Sequence, residues 1–280
     1  MADVKLSHPE KVLFPADGIT KADLAGFYEA VAPAMVPHTR ERPMNLWRWN
    51  AGIERPVVVQ QAIPKGAPEW VATVEVPRRR GGNVVHAMAN DAATLRWLAQ
   101  VNCITPHVWT SRADRLDRPD RMIFDLDPPD EGVEFDLIRE GALALGEHLR
   151  SIGLEPHAMT SGSRGIHVLA PLRRTKGHDA VRQWAAEIGV AVAEEQETLT
   201  TEWRKNKREG RILIDTARNT YAQTTVAPYA VRAKPGAPVA TPLRWEELED
   251  SKLRANSHTL ASIPARLESL GDPWESLGRG

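Results

Sequence analysis

Met122, Ile123 and Phe124 form a short apolar run, and the Asp125-Leu126-Asp127-Pro128-Pro129 segment that follows closes it off. The run suits a buried strand. The proline pair predicts that the strand stops at Asp127, because proline cannot donate to a sheet ladder. Side chains alternate along a strand, so Asp125 and Asp127 share one face, their α-carbons about 6.5–7 Å apart, while Leu126 points into the packing on the other. Two unpaired carboxylates at that spacing repel each other and are costly to desolvate, which calls for a divalent cation between them. Magnesium or manganese suits the pair, since hard cations take oxygen ligands and tolerate bridging phosphates. Taken alone, an Asp-x-Asp at a strand end equally fits a solvated turn or a helix cap.

Around this strand, 280 residues with 42% hydrophobic content suffice for a sizeable core in one large domain or two closely packed lobes. No apolar segment approaches the ~20 residues of a membrane span, and the Met-Ala-Asp-Val-Lys start lacks the apolar centre of a signal peptide. The reading is of a cytoplasmic, nucleoid-associated protein with no membrane partner. A lone cysteine, Cys103, excludes an internal disulfide and a cysteine-cluster zinc site, and it reads as a small core residue. With a net charge of −1 the molecule as a whole gives no electrostatic prior for nucleic acid, so such a partner has to be met by local patches. Arg78-Arg79-Arg80, the run Arg112, Arg115, Arg118 and Arg121, and the run Arg204, Lys205, Lys207, Arg208 and Arg211 supply them, each also readable as a solvated face.

Thr20 followed by Asp23 predicts a capped helix over about 21–36, and Leu46–Trp49 with Pro56–Gln61 predicts a hairpin about an Asn50-Ala51-Gly52 turn. Trp70–Val76 reads as a strand, Asp91 as the cap of a helix to about Gln100, and Phe135–Leu149 as an amphipathic helix closed by Gly153. Two further strands, Pro156–Thr160 and Ile166–Pro171, flank the turn Ser161-Gly162-Ser163-Arg164-Gly165. A helix through Val181–Val192 and a strand Arg211–Asp215 follow. The remainder reads as loop-rich, with weak helical signals at 244–250 and 259–270. One continuous α+β domain over residues 1–280 is the economical organisation.

Asp125 and Asp127, the Ser161–His167 stretch, and Asp215 closing a third strand together answer the needs of phosphoryl transfer. Three carboxylates can hold two metal ions that activate a 3′-hydroxyl and stabilise leaving pyrophosphate. A glycine-rich turn brings backbone N–H groups to phosphate oxygens, with Ser161, Ser163, Arg164 and His167 adding side-chain donors.

In order along the chain, Phe-Asp-Leu-Asp-Pro at 124–128, Thr-Ser-Gly-Ser-Arg-Gly-Ile-His-Val at 160–168 and Ile-Leu-Ile-Asp-Thr-Ala-Arg-Asn at 212–219 resemble the three motifs of archaeo-eukaryotic primase-type polymerases. The chain is most similar to the polymerase domain of bacterial DNA ligase D, over nearly its whole length, including 8–15 and 225–232. The resemblance implies a two-lobed α+β primase-polymerase fold, with antiparallel sheets and flanking helices around a central catalytic cleft. It implies a nucleotidyltransferase that uses Mn2+ or Mg2+, two ions, to add nucleotides, preferably ribonucleotides, at gaps and double-strand breaks in non-homologous end joining. By the same resemblance Asp125, Asp127 and Asp215 are the metal ligands, and His107 joins them as a catalytic residue. Ser161, Ser163, Arg164, His167 and Arg232 grip the nucleoside triphosphate. Lys11 and Lys21 hold a DNA 5′-phosphate, and Arg208 and Arg48 contact the template. Two departures stand out: Val58-Val59-Gln60-Gln61 where the family commonly has an aromatic pair, and Trp47 where a lysine is usual. No Lys-x-Asp-Gly ligase motif is present, so sealing falls to another chain, such as a separate DNA ligase working with a Ku-type end-binding protein, or to sequence beyond this one. A two-metal nuclease would use the same carboxylates without needing a triphosphate grip, and a silent DNA-end binding module would tolerate their loss.

Overall fold

The computed structural model describes residues 4–129 and 133–278, so Met1–Asp3, where the leader was sought, lie outside the described residues. The chain divides into two compact units. One takes residues up to Leu116, Thr224–Ala240 and the segment from His258, and the other takes Asp117–Gln223 and Thr241–Ser257.

The first stretch carries β1 (Val12–Phe14), β2 (Ile19–Thr20), α1 (Lys21–Thr39), β3 (Met44–Arg48), β4 (Val58–Gln60), β5 (Thr73–Pro77), β6 (Asn83–Ala87), α2 (Ala92–Gln100) and β7 (Cys103–Trp109). The second carries β8 (Arg121–Asp127), α3 (Phe135–Ser151), β9 (His157–Thr160), β10 (Ile166–Pro171), α4 (His178–Glu195), β11 (Leu199–Thr200) and β12 (Ile212–Asp215). Then β13 (Thr224–Val226) returns to the first unit, β14 (Thr241–Leu243) to the second, and α5 (Ile263–Leu270) and α6 (Glu275–Gly278) to the first.

In the first unit the sheet order is β13-β7-β3-β4, with β1-β2 and β5-β6 as separate hairpins. α1 starts where the sequence places it. Thr20 Oγ1 accepts from Asp23 N at 3.2 Å while the Asp23 carboxylate accepts from Thr20 N at 2.8 Å, a reciprocal capping box. The helix outlasts its expected end at 36 and runs through Pro33 and Pro37 to Thr39. Its buried face continues over Met35, Val36, His38 and Thr39, and that packing outweighs the backbone bonds the prolines remove. β5 starts at Thr73 rather than Trp70, because Val71 N is committed to a turn on Pro68 O at 3.0 Å. Cys103 is buried as expected, and burial pushes its thiol up to about 12.

The second unit is built on the order β11-β12-β8-β10-β9-β14, antiparallel throughout except for the parallel β11–β12 edge. Strand alternation divides this sheet. Met122, Phe124 and Leu126 of β8, Ile166 and Val168 of β10, and Ile212 and Ile214 of β12 join one apolar cluster with Ile138, Leu145 and Leu149 of α3 and Val181, Ile188 and Val192 of α4. That face is closed by helices, so the odd-numbered positions of β8, Asp125 and Asp127, fall on the other. Three short strands, β11, β13 and β14, occupy stretches that carry no strand signal in the sequence, as does β6.

Among the described residues no helix is long and apolar enough to cross a membrane.

Candidate active site

The strand register lines the carboxylates up. Asp215 of β12 lies directly opposite Asp125 of β8, and on the other side of β8, His167 of β10 lies opposite the same Asp125. Residues opposite one another in a sheet share a face, so Asp215, Asp125 and His167 form one row, with Asp127 two residues further along β8. His167 Nε2 is 3.4 Å from Asp125 Oδ1, and Arg164 Nη2 donates to Asp127 Oδ1 at 3.1 Å. Arg208 Nη1 is 3.6 Å from Asp127 Oδ2, and Arg218 Nε is 3.8 Å from Asp215 Oδ2. Burial pushes the Asp215 carboxyl above its ordinary range; the Ala217 N–H and Arg218 pull it down, while Asp125 and Asp127 push it further up.

Negative charge therefore accumulates here at a cost that the neighbouring guanidiniums only partly offset. Among the described residues no three His, Cys, Asp or Glu side chains converge closely enough to hold a metal ion as they stand. The donors nevertheless fit a hard divalent cation in chemistry: three carboxylates on one face, with the Asp127 carboxylate beside the Arg164 and Arg208 guanidiniums.

The Ser161–Gly165 turn is organised by its first residue. Ser161 Oγ accepts from Ser163 N at 3.2 Å and from Gly165 N at 3.1 Å. Two of the backbone donors expected to reach phosphate are thus satisfied inside the turn. Gly162 takes φ +63°, the left-handed region. Gly165 is required for a different reason: a Cβ there would lie 2.0 Å from Leu126 O, on the strand that carries the aspartates.

Asp125, Asp127, Asp215, Ser161, Ser163, Arg164, His167 and Arg208 are thereby gathered in the second unit, while His107, Arg232, Lys11, Lys21 and Arg48 belong to the first. His107, on β7, is buried, and the Trp47 ring stacks on it with centroids 4.2 Å apart and planes at 25°. The departure noted at Trp47 thus lies against a residue expected to be catalytic. Arg232 follows the Val231–Val239 bridge, its N–H donating to Pro238 O at 2.7 Å.

Lys11 and Lys21 are neighbours through the β1–β2 hairpin, with Lys21 N bonded to Lys11 O at 2.8 Å. Lys21 Nζ donates to Ser7 O at 2.9 Å and Gln100 O at 3.2 Å, and Lys11 Nζ donates to Asn50 O. Burial, then the Lys11 charge, lowers the Lys21 ammonium below its ordinary range. The helix start beneath them is not the open anion site that free N–H groups would make. Lys21, Ala22 and Asp23 donate to Lys11 O, Pro9 O and Thr20 Oγ1, so an anion here has to draw on the Lys11 ammonium and the buried Lys21 ammonium, both of which already donate to carbonyls.

Both arginines expected at a template are engaged internally. Arg48 Nε donates to Val101 O at 2.7 Å, and buried Arg208 donates from Nε to Glu202 O at 3.1 Å and from Nη2 to Trp203 O at 3.2 Å. An open pocket of ≈ 610 Å3 beside Asp125, Asp127 and Asp215 is lined also by Trp203, Lys205, Arg218 and Gln223. Trp203 was not singled out from the sequence, although an aromatic residue opening a basic run was a visible signal.

The family model described as the LigD primase-polymerase domain matches residues 20–274. The chain belongs to this family. It is therefore a nucleotidyltransferase of the primase-polymerase type. It is 32% identical to a multifunctional non-homologous end joining DNA repair protein LigD of Mycobacterium tuberculosis over 98% of this chain and 37% of that protein. The LigD of Pseudomonas aeruginosa is 33% identical over 98% of this chain and 32% of that protein, and that of Bacillus subtilis 26% over 95% and 42%. The chain thus spans about a third to two-fifths of the length of these curated relatives. Its structure matches the polymerase domain from Mycobacterium tuberculosis ligase D, solved in complex with DNA, with a TM-score of 0.93 and 30% identity, covering 99% of this chain and 98% of that one. The expected α+β primase-polymerase fold is thus found.

Proposed function

We propose that this domain adds nucleotides, ribonucleotides in preference, to 3′ ends at DNA gaps and double-strand breaks during non-homologous end joining. Mn2+ or Mg2+ is held by Asp125, Asp127 and Asp215. The observation that carries the reading is the register-aligned row Asp215–Asp125–His167, which sets carboxylates beside a nitrogen donor on the sheet face opposite the apolar cluster. Divalent cations held by these carboxylates would supply Lewis-acid activation of a 3′-hydroxyl and charge to offset that of leaving pyrophosphate. His167 and Arg164 present donors beside Asp125 and Asp127, where triphosphate oxygens are to be held, and Ser161 keeps their turn in shape. Arg232 serves the triphosphate and His107 the catalytic step. Lys11 and Lys21, two ammonium groups placed together, take a DNA 5′-phosphate. Arg48 and Arg208 act on the template by fixing the segments they bond. Sealing is left to a ligase activity outside these residues, working with a Ku-type end-binding partner.

The test incubates the protein with a 5′-phosphorylated gapped duplex, manganese and labelled ribo- or deoxyribonucleoside triphosphates. Extension, faster with ribonucleotides, is expected. Shortening would make the protein a nuclease, and binding without either would make it a silent end-binding module.

A further inference from the structure

Trp203 is the most exposed large hydrophobic residue among those described, at 58%, and it lies in the wall of the pocket that holds the three aspartates. An indole left in water forgoes the transfer free energy of a large apolar side chain, so its placement at a polar pocket calls for a ligand with an apolar face. The backbone that carries the ring is held in place. Arg208 donates to the carbonyls of Glu202 and Trp203 while its Nη1 lies 3.6 Å from Asp127 Oδ2, so one buried guanidinium ties the Trp203 backbone to Asp127. Arg204, Lys205 and Lys207, all exposed, follow directly.

The sheet order decides which reactant meets this ring. Ser161, Arg164 and His167 stand on the β10 side of Asp125, whereas Trp203 and Lys205 lie in the segment between β11 and β12, on the opposite side. In phosphoryl transfer the attacking and leaving oxygens are roughly in line across the transferred group. With triphosphate on the β10 side, the β12 side is left for the nucleic acid.

We propose that Trp203 is a stacking platform for an unpaired base of the DNA, with Lys205 beside it for the adjoining phosphate. This rests on the polymerase reading above and assigns the strand-binding side of its site. Base–aromatic stacking is tolerant of sequence, since every base has a π face, and suits a site that meets gaps of any composition.

The experiment measures, by fluorescence anisotropy without nucleotide, the affinity of the protein for two gapped duplexes that differ only in carrying bases or abasic sites in the unpaired stretch. Wild-type protein is expected to bind the base-bearing duplex roughly five- to tenfold tighter, the scale of one base–aromatic stack. Trp203→Ala should lose that factor on the base-bearing duplex and keep the wild-type affinity for the abasic one, and Trp203→Phe should restore most of the difference. Lys205→Ala should weaken both duplexes equally and flatten the salt dependence. The stacking proposal is overturned if Trp203→Ala binds both duplexes as wild type does, weakens both equally, or weakens nucleotide binding in the absence of DNA. A wild-type protein that binds neither duplex overturns the polymerase reading as well.

Discussion

Asp125 is flanked across both neighbouring strands, by Asp215 on β12 and His167 on β10, and this position explains why the site is assembled around it. The same logic gives Ser161 a double role. Its hydroxyl holds the turn by accepting from Ser163 and Gly165 N–H. Ser161→Ala therefore leaves two donors without that acceptor and is expected to cost about 1–3 kcal/mol of stability as well as nucleotide affinity. Urea titration read beside nucleotide binding separates the two, and unchanged stability would contradict the structural half. His167→Ala should weaken nucleotide binding while DNA affinity holds. At the first unit, Lys11→Ala with Lys21→Ala should erase any preference for a 5′-phosphorylated over a 5′-hydroxyl gapped duplex at low salt. Lys21 binds phosphate as an ammonium, and burial together with the Lys11 charge depresses its pKa in the free protein below the ordinary lysine range. A bound phosphate favours the proton, so the preference should be full below the depressed pKa and fade as pH rises through it, earlier than for an ordinary lysine. Equal binding of both duplexes by the wild-type protein would remove the claim.

Elements with a clear period or cap were legible, and most of the strands that were not are too short to show one. β8 is marked by an apolar run and a proline stop, α1 by its capping box, and β9–β10 by a glycine-rich turn between two short, mostly apolar runs. β11 has two residues, and β13 and β14 three each, too few for any alternation to register; long-range pairing alone creates them. Within the site, the carboxylates could be read from position, whereas the inward use of Arg208 could not, since only the fold brings Glu202 and Trp203 carbonyls to its guanidinium. The close approach of β10 to β8 gives a test at this scale. Gly165→Ala would set a Cβ 2.0 Å from Leu126 O and must shift the turn or the strand. A loss of about 1–3 kcal/mol by denaturant titration is expected, together with lost extension. A variant with wild-type stability and activity would show that the register of β10 on β8 does not position the site.

At the scale of the whole molecule, the first unit is closed by its C-terminal segment through Asp272. Its carboxylate lies 2.9 Å from His38 Nε2, and accepts from Tyr229 Oη at 2.6 Å and Trp274 N at 2.9 Å. Burial alone would push this carboxyl up, but His38, Tyr229 and Trp274 together bring it below its ordinary range. A depressed folded-state pKa contributes stability that is present above the unfolded value and lost as pH falls through the folded one. Asp272→Asn is therefore expected to lower stability near neutrality by about 2 kcal/mol, with the gap narrowing in acid; a gap independent of pH would contradict this. The catalytic assignment depends finally on the carboxylate row. The most direct test compares Asp125→Ala with wild-type protein, measuring extension of a 5′-phosphorylated gapped duplex under manganese alongside DNA affinity. Extension should fall by at least about a thousandfold while DNA affinity stays within about threefold, because the charge at Asp125 serves the transition state more than duplex binding. Near-wild-type extension by Asp125→Ala would contradict the account at its centre.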